Sequence, residues 1–566
     1  MSLPVLPLRL LLLLCLHTRV GCSPAASFHL DVCTSALEAA CPQTSKGNNA
    51  TIQCDLCAGQ HQQKLRAASC SAAAIQSWCT DAAPPVVKMI SVDASTAGAT
   101  PMRFTYGTDR GPQCQGVPPF TAYNGKHPQD DGADTSEALH SMGASVIRTH
   151  GSGELDWEKL FPHPNLDVRT DDPANYRFDA GDAWLHRVVD KGFEPYFRLG
   201  AGEFTVGAGL PPPGKPYNMT ALVDVFLHIV MHYQEGWGGG NWTGQHGLRY
   251  FEIFNEPDSS CSWHAHPGCG QFWNRTADDF YDLFDGIARA VKQYDPTLIV
   301  GGPGAALADE GGPNSPWPAP VPNPFSFGLI DALATRKTPI DFFSWHFYTD
   351  NAALLSTIAE AMRGKLDSVG LHGVDQHVTE WFTGMLNPSE NGVGDAAAVA
   401  SILTRMIWAN ISLATLYPDC DGGQGQTHDT GWGLFDQESR PGKVTWRPLT
   451  HAFAAFGELA QTAVTLLPVT VVGSHEATYT ALAGRGAAGQ IRGLISSQVS
   501  TATVANVSIT GLSQGTWRWS VSSIDAMHVT EPAIVAGGVE TIQGGTLTVV
   551  FSLVAPAVAL LRVDQV

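Results

Sequence analysis

Glu256 lies in Phe251-Glu-Ile-Phe-Asn-Glu-Pro-Asp258 and Glu380 in His377-Val-Thr-Glu-Trp381, each one step beyond a short apolar run. Other apolar runs end in polar clusters of the same kind: Arg148-Thr-His150 and Ser344-Trp-His346-Phe-Tyr348. Two carboxylates facing each other over a bound sugar can work as an acid and a nucleophile, or as an acid and a base. A gap of about 5–5.5 Å gives double displacement with retained configuration, and a gap of about 6.5–9.5 Å gives inversion. Either glutamate alone is read more economically as a structural carboxylate in a loop ion pair. Together, in matching contexts, they point to chemistry.

Such residues need a frame that brings distant segments to one face. From about Val92 to His451, short apolar runs alternate with helical periodicities. Candidate strands are Ser145–Arg148, Pro195–Arg198, Tyr250–Phe254, Leu298–Val300, Asp341–Ser344 and His377–Thr379. Between Asp279 and Tyr294, Phe280, Leu283, Phe284, Ile287, Val291 and Tyr294 form one helical stripe, which is core packing without chemistry. Repeated strand–helix units predict a (β/α)8 barrel, in which every strand points its C-terminal end to the same face. No Gly-x-Gly-x-x-Gly opens a helix after the first strand, which disfavours a doubly wound nucleotide-binding sheet. The two glutamates are 124 residues apart (380 minus 256), about three βα units, which puts them on strands 4 and 7, across the barrel from each other. The Val-, Thr- and Ser-rich tail, with segments such as Ile491–Ser496, Val504–Ile509, Trp517–Val521 and Leu547–Leu553, predicts a C-terminal antiparallel β-sandwich.

The organisation expected is therefore a signal peptide at 1–24, a Cys-rich module at 25–83, a catalytic barrel at 92–455 and a β-sandwich at 456–566. Arg9 precedes the apolar run Leu10–Leu16, which is too short to span a bilayer, and small residues follow near Gly21 to Ala26. Leu547–Leu561 is broken by Ser552 and Pro556 and reads as two strands rather than an anchor. Six of the 12 cysteines (Cys33, Cys41, Cys54, Cys57, Cys70 and Cys79) fall within 47 residues and read as a small module stapled by three bridges. The module is expected to be structural or adhesive, with a cell-wall or matrix contact as its partner. Setting aside Cys15 and Cys22 leaves ten cysteines, an even number, and six Asn-x-Ser/Thr sequons occur at Asn49, Asn218, Asn241, Asn274, Asn410 and Asn506. Both features agree with a secreted glycoprotein or one of a lysosomal-type compartment. Of the 566 residues 44% are apolar and 15% charged, which excludes wholesale disorder. A net charge of −20 argues against nucleic acid or an anionic membrane as partner, and is neutral about an uncharged substrate.

At this point the motifs resemble glycoside hydrolase family 39, in the clan A retaining glycosidases. Phe251–Asp258 is similar to its acid/base signature and His377–Trp381 to its nucleophile strand. In the same order, Val146–Gly151 resembles the strand-2 motif, Val300–Pro303 the strand-5 motif, Asp341–Tyr348 the strand-6 motif and Gly431–Leu434 the last one. Phe272-Trp273 and His451-Ala-Phe453 have counterparts as well. The resemblance covers roughly residues 95 to 566 and leaves the Cys-rich module outside. It implies Glu256 as acid/base and Glu380 as nucleophile, Asn255 on the sugar 2-hydroxyl, Arg148 orienting Glu380, and His346 and Tyr348 completing the nucleophile's hydrogen-bond shell. Trp381 and Trp432 would stack on sugar faces or serve as core aromatics, and His150 would line the site or be a satisfied interior histidine.

Three departures from the family pattern stand out. Strand 3 ends Phe197-Arg198-Leu199 where an acidic residue is usual, Phe254 replaces a Trp, and the stretch from Tyr417 to His428 is short and Gly-rich, with Cys420. Cys261 and Cys269 bracket a loop after the acid/base; a bridge there stiffens the rim, the alternative being a zinc site with His264 and His266. The site as a whole calls for no metal and no organic cofactor. The resemblance implies a retaining O-glycosidase, most like a β-xylosidase. Arg198 keeps open an α-L-iduronidase-like enzyme that meets a uronate, or an endo-acting one. A non-catalytic carbohydrate- or matrix-binding protein is the alternative of another class, disfavoured because such a protein has no need of both glutamates.

Overall fold

The computed structural model describes residues 86–95, 99–114, 133–150, 153–201, 217–244, 246–258, 273, 275–307, 324–383, 392–420, 433–437, 444–472, 478–499 and 503–566. The expected signal peptide, the Cys-rich module, Cys261, Cys269, His264, His266 and Trp432 lie outside the described residues.

Eight parallel strands close a barrel: β1 (Thr105–Asp109), β2 (Val146–Arg148), β3 (Glu194–Leu199), β4 (Tyr250–Ile253), β5 (Ile299–Ala305), β6 (Phe342–Tyr348), β7 (Asp375–Phe382) and β8 (Leu413–Leu416), with β8 pairing β1. Glu256 and Glu380 accordingly follow or belong to the fourth and seventh strands. The alternation of side chains across each strand divides inside from outside. Phe197, Phe251, Val300 and Phe343 face outward into the large core shared with the helices, while Val146, Tyr196, Phe342 and Leu413 pack together inside the barrel. There the Tyr196 hydroxyl meets His377 Nδ1 at 3.0 Å and the His377 ring stacks on Phe342 at 4.2 Å. Burial pushes the His377 imidazole down to about 3, so this layer stays uncharged.

β1 and β8 escaped the sequence reading. β1, Thr-Tyr-Gly-Thr-Asp, carries little apolar signal, because Gly107 lies where a Cβ would be 1.7 Å from the Val146 carbonyl oxygen, Asp109 is turned to Arg148, and Tyr106 alone packs into the outer core. The amphipathic helix spans Ala277–Tyr294, two residues earlier than its stripe begins, since Thr276 and Asp279 form a capping box.

The C-terminal region is a sandwich of two sheets over a second core that includes Ile90, Val507, Val549, Trp517, Val521 and Leu561. The stretch read as two terminal strands is Leu547–Leu553 and Ala557–Gln565. Two segments that precede the barrel in sequence join these sheets. Val86–Asp93 runs parallel to Thr503–Thr510 and antiparallel to Val469–Val472, and Thr100–Pro101 pairs with Ala463–Leu467. The sandwich is thus not wholly antiparallel, and the chain enters the barrel from within it. Among the described residues no helix is long and apolar enough to cross a membrane.

A disulfide, Cys114–Cys420, joins the loops that follow β1 and β8 across the seam where the barrel closes. Around it the Asp419 amide donates to the Asp109 carbonyl at 3.0 Å and Thr135 Oγ1 donates to Asp419 Oδ2 at 2.7 Å. Because it closes a loop of 306 residues, the bridge removes much unfolded-state entropy. Replacing both cysteines with serine is expected to lower the unfolding free energy by about 2–4 kcal/mol in guanidinium titrations. No change would contradict a seam held by this bond.

Candidate active site

Arg148, the last residue of β2, organises the C-terminal face. Its Nε donates to Glu252 Oε2 at 2.6 Å, Nη1 to Asp109 Oδ2 and Glu380 Oε1, both at 2.7 Å, and Nη2 to Asn255 Oδ1 at 2.7 Å. One planar fork therefore ties together the ends of β1, β2, β4 and β7, which a lysine's point charge could not do. Burial disfavours its charge, but Glu252, Asp109 and Glu380 outweigh burial and hold the guanidinium firmly ionised.

After Ile253 the chain turns abruptly. Phe254 (φ +74°) and Glu256 (φ +41°) occupy the left-handed region, a strain of about 1–3 kcal/mol each. The surroundings enforce it: Phe254 N donates to Leu199 O at 2.6 Å and Glu256 N to Gly304 O at 2.8 Å, while the Phe254 ring meets Trp273 and Phe280 edge-on. Gly304 (φ +59°) has to be glycine, since a Cβ would stand 3.1 Å from His346 Nε2 and 3.2 Å from Arg148 Nη2. With Oδ1 of Asn255 taken by Arg148, its Nδ2 is left buried without a partner, as a donor waiting for a ligand acceptor.

Register shifts in the β6–β7 and β7–β8 pairings place His346 opposite Glu380. Glu380 Oε2 accepts from the Tyr348 hydroxyl at 2.5 Å, with His346 Nδ1 at 3.5 Å, and His150 Nε2 lies 3.6 Å from Oε1. Glu256 Oε1 instead lies 2.7 Å from His346 Nδ1. The Glu256, His346 and Glu380 atoms approach within 4.8 Å of one another. That trio is close enough to share a cation, but the His346–Glu256 hydrogen bond uses the nitrogen a metal would take.

The two glutamates have opposed environments. Burial raises both carboxyls. At Glu380 the charges of His346, His150 and Arg148 and the Tyr348 hydroxyl outweigh burial and hold the group well below the ordinary carboxylate range. At Glu256 burial wins over the His346 hydrogen bond, and the Glu380 charge adds to it, so the carboxyl is raised. Burial works against the His346 imidazolium, yet Glu380 and Glu256 raise its pKa. The arrangement presents a carboxyl whose ionised form is favoured beside one whose protonated form is favoured, with a histidine between them.

Of the residues expected at the site, Arg148, His150, Asn255, Glu256, His346, Tyr348 and Glu380 come together. Trp381 does not join them: at 1% exposure it lies in the large hydrophobic core with Phe382. Arg198, at 0% exposure, is tied to Asp156 through Nη2, while its Nε and Nη1 are buried without a partner among the described residues. The sequence reading missed Asp109 and Glu252, although a glutamate at the centre of the apolar Tyr250–Ile253 strand was a signal. It also missed the rim pair Arg110 and Tyr417, in which Arg110 Nη2 donates to the Tyr417 hydroxyl at 2.5 Å and the guanidinium stacks 4.7 Å above the ring.

Fold and site together define a (β/α)8-barrel protein with a carboxylate pair at the C-terminal ends of its fourth and seventh strands. Within that class the chain belongs to the glycosyl hydrolases family 39, whose pattern matches residues 138–461. It is 25% identical over 305 residues to a beta-xylosidase of Geobacillus stearothermophilus, covering 49% of this chain and 53% of that one. It is 24% identical over 245 residues to a beta-xylosidase of Caldicellulosiruptor saccharolyticus, covering 40% and 42%. The chain spans about half the length of the curated relatives it matches. Among solved structures, a glucosidase from Croceicoccus marinus shares the fold with a TM-score of 0.62 at 23% identity, over 85% of this chain and all of that one (100%).

Arg148→Ala would strand the buried carboxyl groups of Asp109, Glu252 and Glu380. The expected outcome is a loss of about 3–5 kcal/mol in unfolding free energy by urea titration, as for breaking a buried ion pair from one side. Unchanged stability would show that the cluster does not depend on this fork.

Proposed function

We propose that this protein is a secreted retaining O-glycoside hydrolase that works by double displacement. The observation that carries this reading is the pair Glu256 and Glu380, with oxygens within 4.8 Å of each other and opposed electrostatic surroundings. That spacing favours retention over inversion, which needs about 6.5 Å or more for a water between the carboxyls. In the first step a Glu380 oxygen bonds to the anomeric carbon as the glycosidic C–O bond breaks, and Glu256 gives its proton to the departing oxygen. In the second, Glu256 takes a proton from water, the water oxygen bonds to the anomeric carbon, and the Glu380 ester is released. Asn255 Nδ2 donates to the sugar 2-hydroxyl, and His346 keeps the Glu256 proton directed at the cleaved bond.

The glycone is xylose-like, on the strength of the two beta-xylosidase relatives. Arg198, the residue that suggested a uronate, is buried and paired with Asp156. Secretion rests on the leader pattern at 1–24, the even cysteine number and the sequons. The module at 25–83 contacts a wall or matrix; the barrel begins at Thr105, after Val86–Asp93 and Thr100–Pro101 have joined the sandwich.

On a panel of aryl glycosides that includes β-xyloside and α-L-iduronide, Glu380→Ala is expected to abolish turnover. Glu256→Ala is expected to lose about 10²–10⁴-fold on poor leaving groups and much less on activated ones. Activity of Glu380→Ala equal to that of the parent would refute the assignment of the nucleophile. The pH profile of kcat/KM should be bell-shaped. The acid limb reports protonation of Glu380 below its lowered pKa, and the alkaline limb reports ionisation of Glu256 above its raised one. In Glu256→Gln, assayed on an activated substrate, the alkaline limb should vanish; its persistence would assign it to another group.

A further inference from the structure

The charges around Arg148 do not balance. Asp109, Glu252 and Glu380 each place an oxygen 2.6–2.7 Å from this one guanidinium, and their side chains are 0%, 0% and 6% exposed. Buried carboxylates in excess of their counter-charge take up a proton rather than remain ionised. The three are not equally provided for. Glu380 also has the Tyr348 hydroxyl, with His346 and His150 close by. Glu252 has Arg148 Nε to itself. Asp109 shares Nη1 with Glu380, and among the described residues its Oδ1, like Oε1 of Glu252, is buried with no partner. Arg110, the other cation facing it, is turned onto Tyr417.

We propose that Asp109 is a positioning residue carried in its neutral form, seated in the Arg148 fork so that the guanidinium's charge is left to Glu380. This rests on the reading of Glu380 as nucleophile. The proton resides on Oδ1, while Oδ2 accepts from Nη1. Burial and the neighbouring Glu380 charge push the Asp109 carboxyl up to about 8, against the pull of Arg148 and Arg110. An ionised Asp109 would instead compete with Glu380 for the same positive charge.

The test compares the full chain with Asp109→Asn, which copies a neutral aspartic acid in shape, by chemical denaturation between pH 5 and 7. In the unfolded chain the aspartate ionises near the ordinary value of about 4. Folding of the parent therefore takes up a proton across this window, and its stability falls as pH rises, whereas the variant has no such term. The ratio of the two unfolding equilibrium constants is expected to grow roughly tenfold per pH unit in the variant's favour. A constant ratio would show Asp109 ionised in the folded protein and overturn the proposal. Asp109→Ser gives the same widening ratio should the asparagine variant fold poorly. In kinetics, Asp109→Asn should retain at least tenfold more kcat/KM than Asp109→Ala and leave the acid limb in place. Asparagine no better than alanine, or an acid limb shifted down by a unit, would contradict a neutral role. The stability arm needs no substrate, so failure of the glycosidase reading, seen as a parent enzyme inert on every glycoside, is distinguishable from failure of this one.

Discussion

The site depends on one guanidinium held in a dry barrel. Beneath Arg148 the barrel interior is packed with Tyr196, Phe342, Leu413 and an uncharged His377. In so low a dielectric each contact to the charge is strong and each unmatched charge is expensive. Four strand ends must therefore converge where Arg148 can reach Asp109, Glu252, Asn255 and Glu380 together. The remaining features of the C-terminal face accompany that requirement: glycines at 107, against the Val146 backbone, and 304, against the His346 and Arg148 side chains, a register shift that sets His346 opposite Glu380, and a disulfide across the seam.

The same constraint separates the two glutamates. Glu380 lies within the fork's reach and collects positive partners. Glu256, one residue beyond Asn255, is carried past the fork by a strained turn and meets His346. Two chemically identical side chains thus acquire opposite proton affinities from a difference of one backbone turn, which is the division of labour that the proposed reaction requires. The strain at Phe254 and Glu256 is sustained by the aromatic contacts of Phe254 and by backbone bonds to Leu199 and Gly304. In this way packing far from the reacting atoms contributes to the chemistry.

Much of this was legible in the sequence because the site residues follow apolar strand runs. The clusters at Arg148, Asn255-Glu256, His346 and Glu380 read as strand ends converging on one pocket, and they do converge. What escaped had weak or misleading local signals. β1 is polar and glycine-containing, and β8 is only four residues long. Val86–Asp93 pairs with strands more than 370 residues away, a partnership no local pattern records. Trp381 follows Glu380 directly, yet strand alternation turns it outward into the core. Arg198 looked like a substrate cation until Asp156, 42 residues earlier, was found to hold it inside. Asp109 and Glu252 were overlooked because their importance lies wholly in a shared partner, which is a property of three dimensions.

The most direct test of the account is the stereochemistry of the first product. Hydrolysis of an aryl β-xyloside followed by proton NMR, before mutarotation sets in, should show the β-anomer appearing first, as two successive inversions at Glu380 require. Initial release of the α-anomer would mean that water attacks directly, and would contradict the covalent role that the geometry of Arg148, Tyr348 and Glu380 is taken to support.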